Sequence, residues 1–211
     1  METTKPRKPR RYLRSRKTRK LILDNATELF IEEGYSKTTV EKIKDRTGIG
    51  YGTVFSHYRG KDVILSTIVD NIFYSFFDYQ ERLETADNKE QLTDSYRELT
   101  LRLFKLALEH RHILKVYEGA LVKSDNISNH WSCIIDSFTG NMSSSIAEHQ
   151  SNEVMRDFDV LGVAKVFSLL LFSFFWEIVN EKEEDLESLS DTVVSVLFQG
   201  VAKQSQLVCS N

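Results

Sequence analysis

Apolar and polar residues follow the period of a helix along almost the whole chain. From about Thr18, the residues Ile22, Ala26, Leu29 and Phe30 fall on one face with Glu33 opposite, and Gly34 follows as a C-terminal stop. Ser36 or Thr38 starts a second, short helix with Val40 and Ile43 inward, which ends before Gly48. A third runs from Gly50 or Tyr51 to His57, with Val54 and Tyr58 as inward candidates, and the Arg59–Gly60 pair breaks it. Asp62 lies in the first turn of a fourth, where a carboxylate favours the helix dipole, and that helix continues through Ile64, Ile68, Ile72 and Phe76. Longer amphipathic helices are predicted over 89–109, 111–123, 127–148, 158–181 and 186–207, with connections near 85–88, 124–126 and 151–157. There is no repeat of fixed period and no strand-like alternation of useful length, so the predicted fold class is all-α.

Composition strengthens this picture. Both prolines, Pro6 and Pro9, lie in the first ten residues, and a long proline-free stretch suits helices. A hydrophobic content of 41% with 28% charged residues is that of a soluble globular chain, and 211 residues allow a small domain joined to a larger one. Residues 160–179 match a membrane span in length, but Lys165, Ser168, Ser173 and Glu177 fall within one half of the helical wheel. Burial in a helical bundle accounts for such a helix better, and no membrane partner is expected.

The net charge of −3 hides an asymmetry. Residues 1–20 carry ten basic side chains and one acid, a local charge of +9, which leaves −12 on the rest. A basic arm on an acidic body points to a polyanion met at one end; a targeting leader is the rival reading, although no apolar signal core follows. The two cysteines, Cys133 and Cys209, lack CxxC spacing and clustered histidines, which fits reduced thiols in a cytoplasmic protein and no metal site. The five histidines have no metal-ligand spacing, and no nucleophile elbow, P-loop or dinucleotide motif is present, so neither an enzyme nor a cofactor is indicated.

The informative stretch runs from Thr38 to Tyr58. Two short helices flank a glycine turn, with Val40, Ile43, Ile49 and Val54 placed to pack on the first helix. The outer face of the second short helix then carries Tyr51, Gly52, Thr53 and His57 for a DNA major groove. Gly52 costs helix stability, which is accounted for by close approach to phosphate or base edges. Periodicity alone leaves a second reading: a helical hairpin in an interaction adaptor, with Gly52 allowing tight packing.

Residues 18–65 resemble the DNA-binding domain of the TetR family of transcriptional regulators. The resemblance lies in Ala26, Leu29-Phe30, Gly34-Tyr35, Thr38-Thr39-Val40 and Ile43, then Gly48-Ile49, Gly52-Thr53-Val54-Phe55, His57-Tyr58 and Lys61-Asp62, in register without a gap. It implies an N-terminal three-helix helix-turn-helix domain followed by a larger helical domain for ligand binding and dimerisation. The resulting division is a flexible basic arm over 1–17, a DNA-binding domain over 18–65, and an effector and dimerisation domain over 66–211.

The resemblance also implies roles. Thr39 and Lys61 would meet phosphate, Tyr51 and Thr53 would approach bases or backbone, and His57 would meet phosphate near the end of the reading helix. Thr38, Lys44, Gly52 and Tyr58 complete the candidate DNA-contacting set. Three departures stand out. Phe55 replaces a usual Tyr, Lys44 replaces a usual small residue, and Gly50 replaces a usual Ser or Thr, so the reading helix lacks a side-chain N-cap. Beyond residue 66, Phe77, Phe104, Tyr117, Trp131 and Phe174 are candidate walls of a pocket for a small apolar effector. Leu186, Leu189, Val193, Leu197 and Val201 form a stripe placed to join the 158–181 helix in a homodimer. The function implied is a repressor on double-stranded operator DNA, released by ligand.

Overall fold

The computed structural model describes residues 10–81, 86, 88–180 and 185–201; for 10–13 and 198–201 it describes the backbone alone. The described residues form nine helices and no strand: α1 (Arg10–Lys37), α2 (Val40–Thr47), α3 (Tyr51–His57), α4 (Lys61–Glu81), α5 (Lys89–Glu109), α6 (Arg111–Leu121), α7 (Asp125–Ser151), α8 (Val160–Val179) and α9 (Leu186–Val201). The expected helices are all present. The arm over residues 1–9, the helix end over 202–207, the Val201 side chain and Cys209 lie outside the described residues.

The start of α1 differs from expectation. Residues 10–17, expected as a flexible arm, are helical. Arginine and lysine are good helix formers, and nothing after Pro9 interrupts the backbone. Gly34 ends regular helical geometry as expected, with φ at +76°, and one further turn follows it.

The chain divides into two compact units. The first comprises residues up to Asp70 together with Val116–Ser128, and the second comprises Asn71–Lys115 and everything from Asn129 onward. The boundary expected at 65/66 therefore moves, and the corner between α6 and α7 joins the first unit. In that unit α2 packs on α1 and α3 on α2. Ile22, Ala26, Phe30, Ile43, Val54, Ile64 and Leu65 are fully buried at its centre. Arg46 of α2 reaches Glu28 at 2.8 Å and Glu32 at 2.5 Å on α1, and Lys42 reaches Glu33 at 2.6 Å.

In the second unit α5 packs on α8 and α9. Its core is a run of rings: Phe73 meets Trp131 and Phe175, Phe76 stacks on Phe138, and Phe172 joins Trp131, Phe138 and Phe175, with centroids 5.2–6.2 Å apart. α8 is the described helix long and apolar enough to cross a membrane. Ala164, Phe167, Leu171, Phe172, Phe175, Ile178 and Val179 are buried on its inner side. Ser168, expected on the polar half, lies on that buried side too, bonded to Thr139 at 2.8 Å and donating to the Ala164 carbonyl at 2.7 Å. The α9 stripe also turns inward, with Val193 and Leu197 buried in the chain's own core. Among the described residues, the large exposed apolar ones on these two helices are instead Leu161, Val166, Leu169 and Val196, at 50%, 57%, 72% and 60% exposure.

Candidate nucleic-acid interface

The site is built by two short helices and the glycines between them. α2 begins at Thr39, whose extended backbone turns the chain and whose hydroxyl accepts from the Lys42 amide at 3.3 Å. It ends at Gly48, which takes φ +66° as a left-handed cap. Gly50 then opens α3 without a side-chain cap, as its lack of a hydroxyl requires. Val54 is fully buried and Tyr58 nearly so, which fixes the rotation of α3 about its axis. Tyr51, Gly52, Thr53, Phe55 and Ser56 consequently face solvent.

Gly52 has open space where a Cβ would sit, so tight packing inside the fold does not explain it. The Tyr51 and Phe55 rings lie one turn apart and stack, with centroids 6.0 Å apart and planes 13° apart. At the far end of α3, His57 is half-buried, and its Nδ1 lies 3.5 Å from Arg19 Nε on α1. The Tyr58 hydroxyl is pushed above its usual value by burial, a shift that the Arg19 charge opposes. Arg14, Arg16, Lys17 and Arg19 are all exposed along the start of α1.

Several predicted contact residues have other partners. Thr38 is fully buried, and its hydroxyl donates to the Gly34 carbonyl at 2.9 Å, with Leu29 O at 3.3 Å. It holds the α1–α2 junction and offers no surface to a ligand. Tyr58 likewise gives its ring to the core. The Lys61 ammonium donates to the carbonyls of Tyr35 at 2.8 Å and Thr38 at 3.2 Å, and sits 4.1 Å from the centre of the Tyr35 ring. Burial lowers its proton affinity, Asp62 opposes the shift, and Lys123 adds to it. Two of its three N–H groups are thus engaged, and one is left over. Lys44 pairs with Asp45 at 2.6 Å, which raises its proton affinity. Thr39, Tyr51, Gly52 and Thr53 stay exposed with His57 half-buried beside them. Arg19 and Phe55 join this surface without having been singled out as contacts. The signal for Arg19 was its helical spacing from the core positions Ile22 and Ala26, had the helix been carried back into the basic arm.

Behind the helix-turn-helix, Asp62 collects three donors. Tyr35 Oη reaches it at 2.6 Å, Ser124 Oγ at 2.8 Å and Asn126 Nδ2 at 3.1 Å, while Lys123 Nζ reaches Ser36 Oγ at 3.1 Å. Burial works against the Asp62 charge, but those hydrogen bonds and Lys61 outweigh it and hold the carboxyl below its usual value. Of the predicted effector residues, Phe77 and Trp131 both pack on Phe73, and Phe104 pairs with Phe174 at 6.4 Å. Tyr117 stands apart from them, buried in the first unit with its hydroxyl 3.4 Å from the Ile127 carbonyl. Among the described residues no group of three His, Cys, Asp or Glu is placed to hold a metal.

A short helix anchored through Ile43, a glycine turn, and a second short helix rotated so that its outer face is free define a helix-turn-helix DNA-binding protein. This chain matches, over residues 22–68, the family profile described as bacterial regulatory proteins, tetR family. It is a DNA-binding transcriptional regulator. Among its relatives, a fatty acid metabolism regulator protein of Bacillus subtilis is 26% identical over 189 residues, covering 85% of this chain and 93% of that protein. The repressor KstR2 of Mycolicibacterium smegmatis is 33% identical over 93 residues, 43% of each chain. Among solved structures, NalD, the secondary repressor of an efflux pump in Pseudomonas aeruginosa, aligns with a TM-score of 0.72 at 20% identity, covering 90% of this chain and all of that one. SmeT of Stenotrophomonas maltophilia in complex with triclosan aligns at 0.74 and 20%, covering 92% and 96%.

Proposed function

We propose that this protein is a homodimeric repressor that occupies operator DNA through α3 and is released by a small apolar molecule bound in the second unit. The observation that carries the DNA side of this reading is the rotation of α3. Its one fully buried side chain, Val54, leaves five of seven residues facing outward beside four exposed cations of α1. Thr39, Tyr51, Thr53, His57 and the spare N–H of Lys61 supply the contacts, with Arg14, Arg16 and Arg19 along the phosphates. The second copy is proposed to dock on Leu161, Val166, Leu169 and Val196, which flank a groove of ≈250 Å³ lined by Gly162, Phe167, Leu170 and Leu197.

Release is proposed to act through the α6–α7 corner. Helices α6 and α7 both continue into the second unit, and their shared corner is hydrogen-bonded to Asp62 and Ser36. A ligand among the half-buried rings Phe77, Trp131 and Phe174 that favours a different setting of those helices disturbs this anchorage. NalD is a repressor, and SmeT binds triclosan; both are consistent with the class of mechanism. Such a protein acts by binding, in the cytoplasm. The test is a mobility shift with DNA from upstream of its own gene. Sequence-specific retardation that falls at least tenfold in Tyr51→Ala and His57→Ala is expected, and retardation indifferent to both variants overturns the reading.

A further inference from the structure

The side chains that α3 lacks are as informative as those it carries. Arginine or lysine reads guanine at two points, asparagine or glutamine reads adenine, and a carboxylate accepts from cytosine. None of these residues occurs between Tyr51 and His57. The polar groups it does have are partly engaged: Ser56 Oγ donates back to the Thr53 carbonyl at 2.8 Å, and His57 Nδ1 faces Arg19. What stands outward is largely apolar: the stacked rings of Tyr51 and Phe55, each 45% exposed, and the methyl of Thr53. Phe55 has no hydrogen-bonding atom at all, so it contributes nothing to a phosphate. Beside the rings, the bare backbone at Gly52 leaves room for a close approach.

In the major groove, one base carries an apolar mark, the 5-methyl group of thymine. We infer that Tyr51 and Phe55 are specificity-determining residues, forming an apolar shelf that reads thymine through its methyl group. This deepens the DNA-binding reading and rests on it. The stack also stiffens the shelf: each ring limits the other's rotation, so less side-chain freedom is lost on docking.

The experiment enriches binding sites from a randomised duplex pool with the full-length protein. It then measures affinity by fluorescence anisotropy, at fixed salt, for the enriched duplex and for versions in which single thymines are replaced by deoxyuridine. That replacement removes one methyl and nothing else. At one or two positions in each half-site, the wild type is expected to weaken about fourfold per methyl lost. Phe55→Ala, a surface change whose folding is checked by circular dichroism, binds the enriched duplex more weakly and becomes indifferent to deoxyuridine at those positions; Phe55→Tyr keeps the sensitivity. Wild-type binding that ignores deoxyuridine at every position overturns the inference while leaving the DNA-binding reading intact. So does a Phe55→Ala variant with undiminished methyl sensitivity. A pool that yields no enriched sequence overturns both.

Discussion

The two units are built entirely of helices, yet different chemistry holds each of them. In the first, polar groups with fixed partners set the geometry: the Thr39 cap, the Gly48 turn, the Arg46 clamp on Glu28 and Glu32, and the Lys61 and Asp62 anchors. These hold α1, α2 and the start of α4 in place, and the burial of Val54 and Tyr58 then sets how α3 is rotated and which side chains it shows. In the second, rings pack on rings at several angles around Phe73, Trp131 and Phe172, and buried apolar area dominates, with polar pairs such as Thr139–Ser168 set among the rings. A reading surface needs orientation; a receptor for an apolar molecule needs adaptable space. The contrast teaches that a change of one side chain should be felt at α3 more directly in the first unit than in the second.

The sharpest way to break this comparison is to delete a ring from each core. Phe73→Ala is expected to cost about 3–5 kcal/mol, measured by denaturant unfolding, and Phe30→Ala a similar amount. Losing Phe73 should leave specific DNA binding measurable while the protein stays folded, whereas losing Phe30 should abolish it. Equal loss of binding in both would erase the distinction. Next in size is Leu169→Glu, which places a charge on the proposed dimer face. Sedimentation should show monomers with unchanged helicity, and a dimer that survives would move the interface elsewhere.

Smaller effects sharpen the picture of the first unit. Thr39→Ala removes the α2 cap and is expected to cost about 1 kcal/mol in thermal unfolding. Gly52→Ala is expected to act in opposite directions on two readouts. The empty space around Gly52 allows a gain of about 0.5–1 kcal/mol in stability, while DNA affinity falls because the added methyl holds the duplex off. Unchanged affinity would remove the reason given for that glycine. Finally, the Asp62 carboxyl is held below its ordinary value of 3.8, so the folded state favours its charged form. Its stabilisation is complete above that ordinary value and is lost as pH falls through the lowered one. Acid titration of the melting temperature should therefore be shallower for Asp62→Asn than for the wild type.

Legibility in the sequence divides along the same line. The helices of the first unit announce themselves because caps and glycines are local signals: Gly34, Gly48 and Asp62 each mark a boundary within a few residues of its cause, whereas the start expected for α2 at Ser36 or Thr38 falls just before the observed cap, Thr39. The inward positions Ile22, Ile43 and Val54 follow from period alone. The intramolecular partners of Thr38 and Lys61, two of the expected DNA contacts, are not legible because the Gly34, Leu29 and Tyr35 carbonyls come from chain reversals that spacing does not specify. The grouping of the α6–α7 corner with the first unit is hidden for the same reason, since its bonds to Asp62 span about sixty positions. In the second unit, any aromatic residue on an amphipathic face is a candidate pocket wall. Nothing local separates Tyr117, which lies in the other unit, from Trp131, which joins the Phe73 cluster. The inward turn of Val193 and Leu197 was equally hidden, because an apolar stripe does not say whether its cover is the same chain or another.

The helical first turns of α1 limit how the charge they carry is spent. An α-helix with side chains is about 10–12 Å across, whereas the minor groove of B-form DNA is about 6 Å wide. Arg14, Arg16, Lys17 and Arg19 therefore ride on a rod too thick to thread between the sugar edges. In the proposed complex they would meet one strand's exterior as a comb, with teeth spaced by the rise of the coil rather than by the sequence of the duplex.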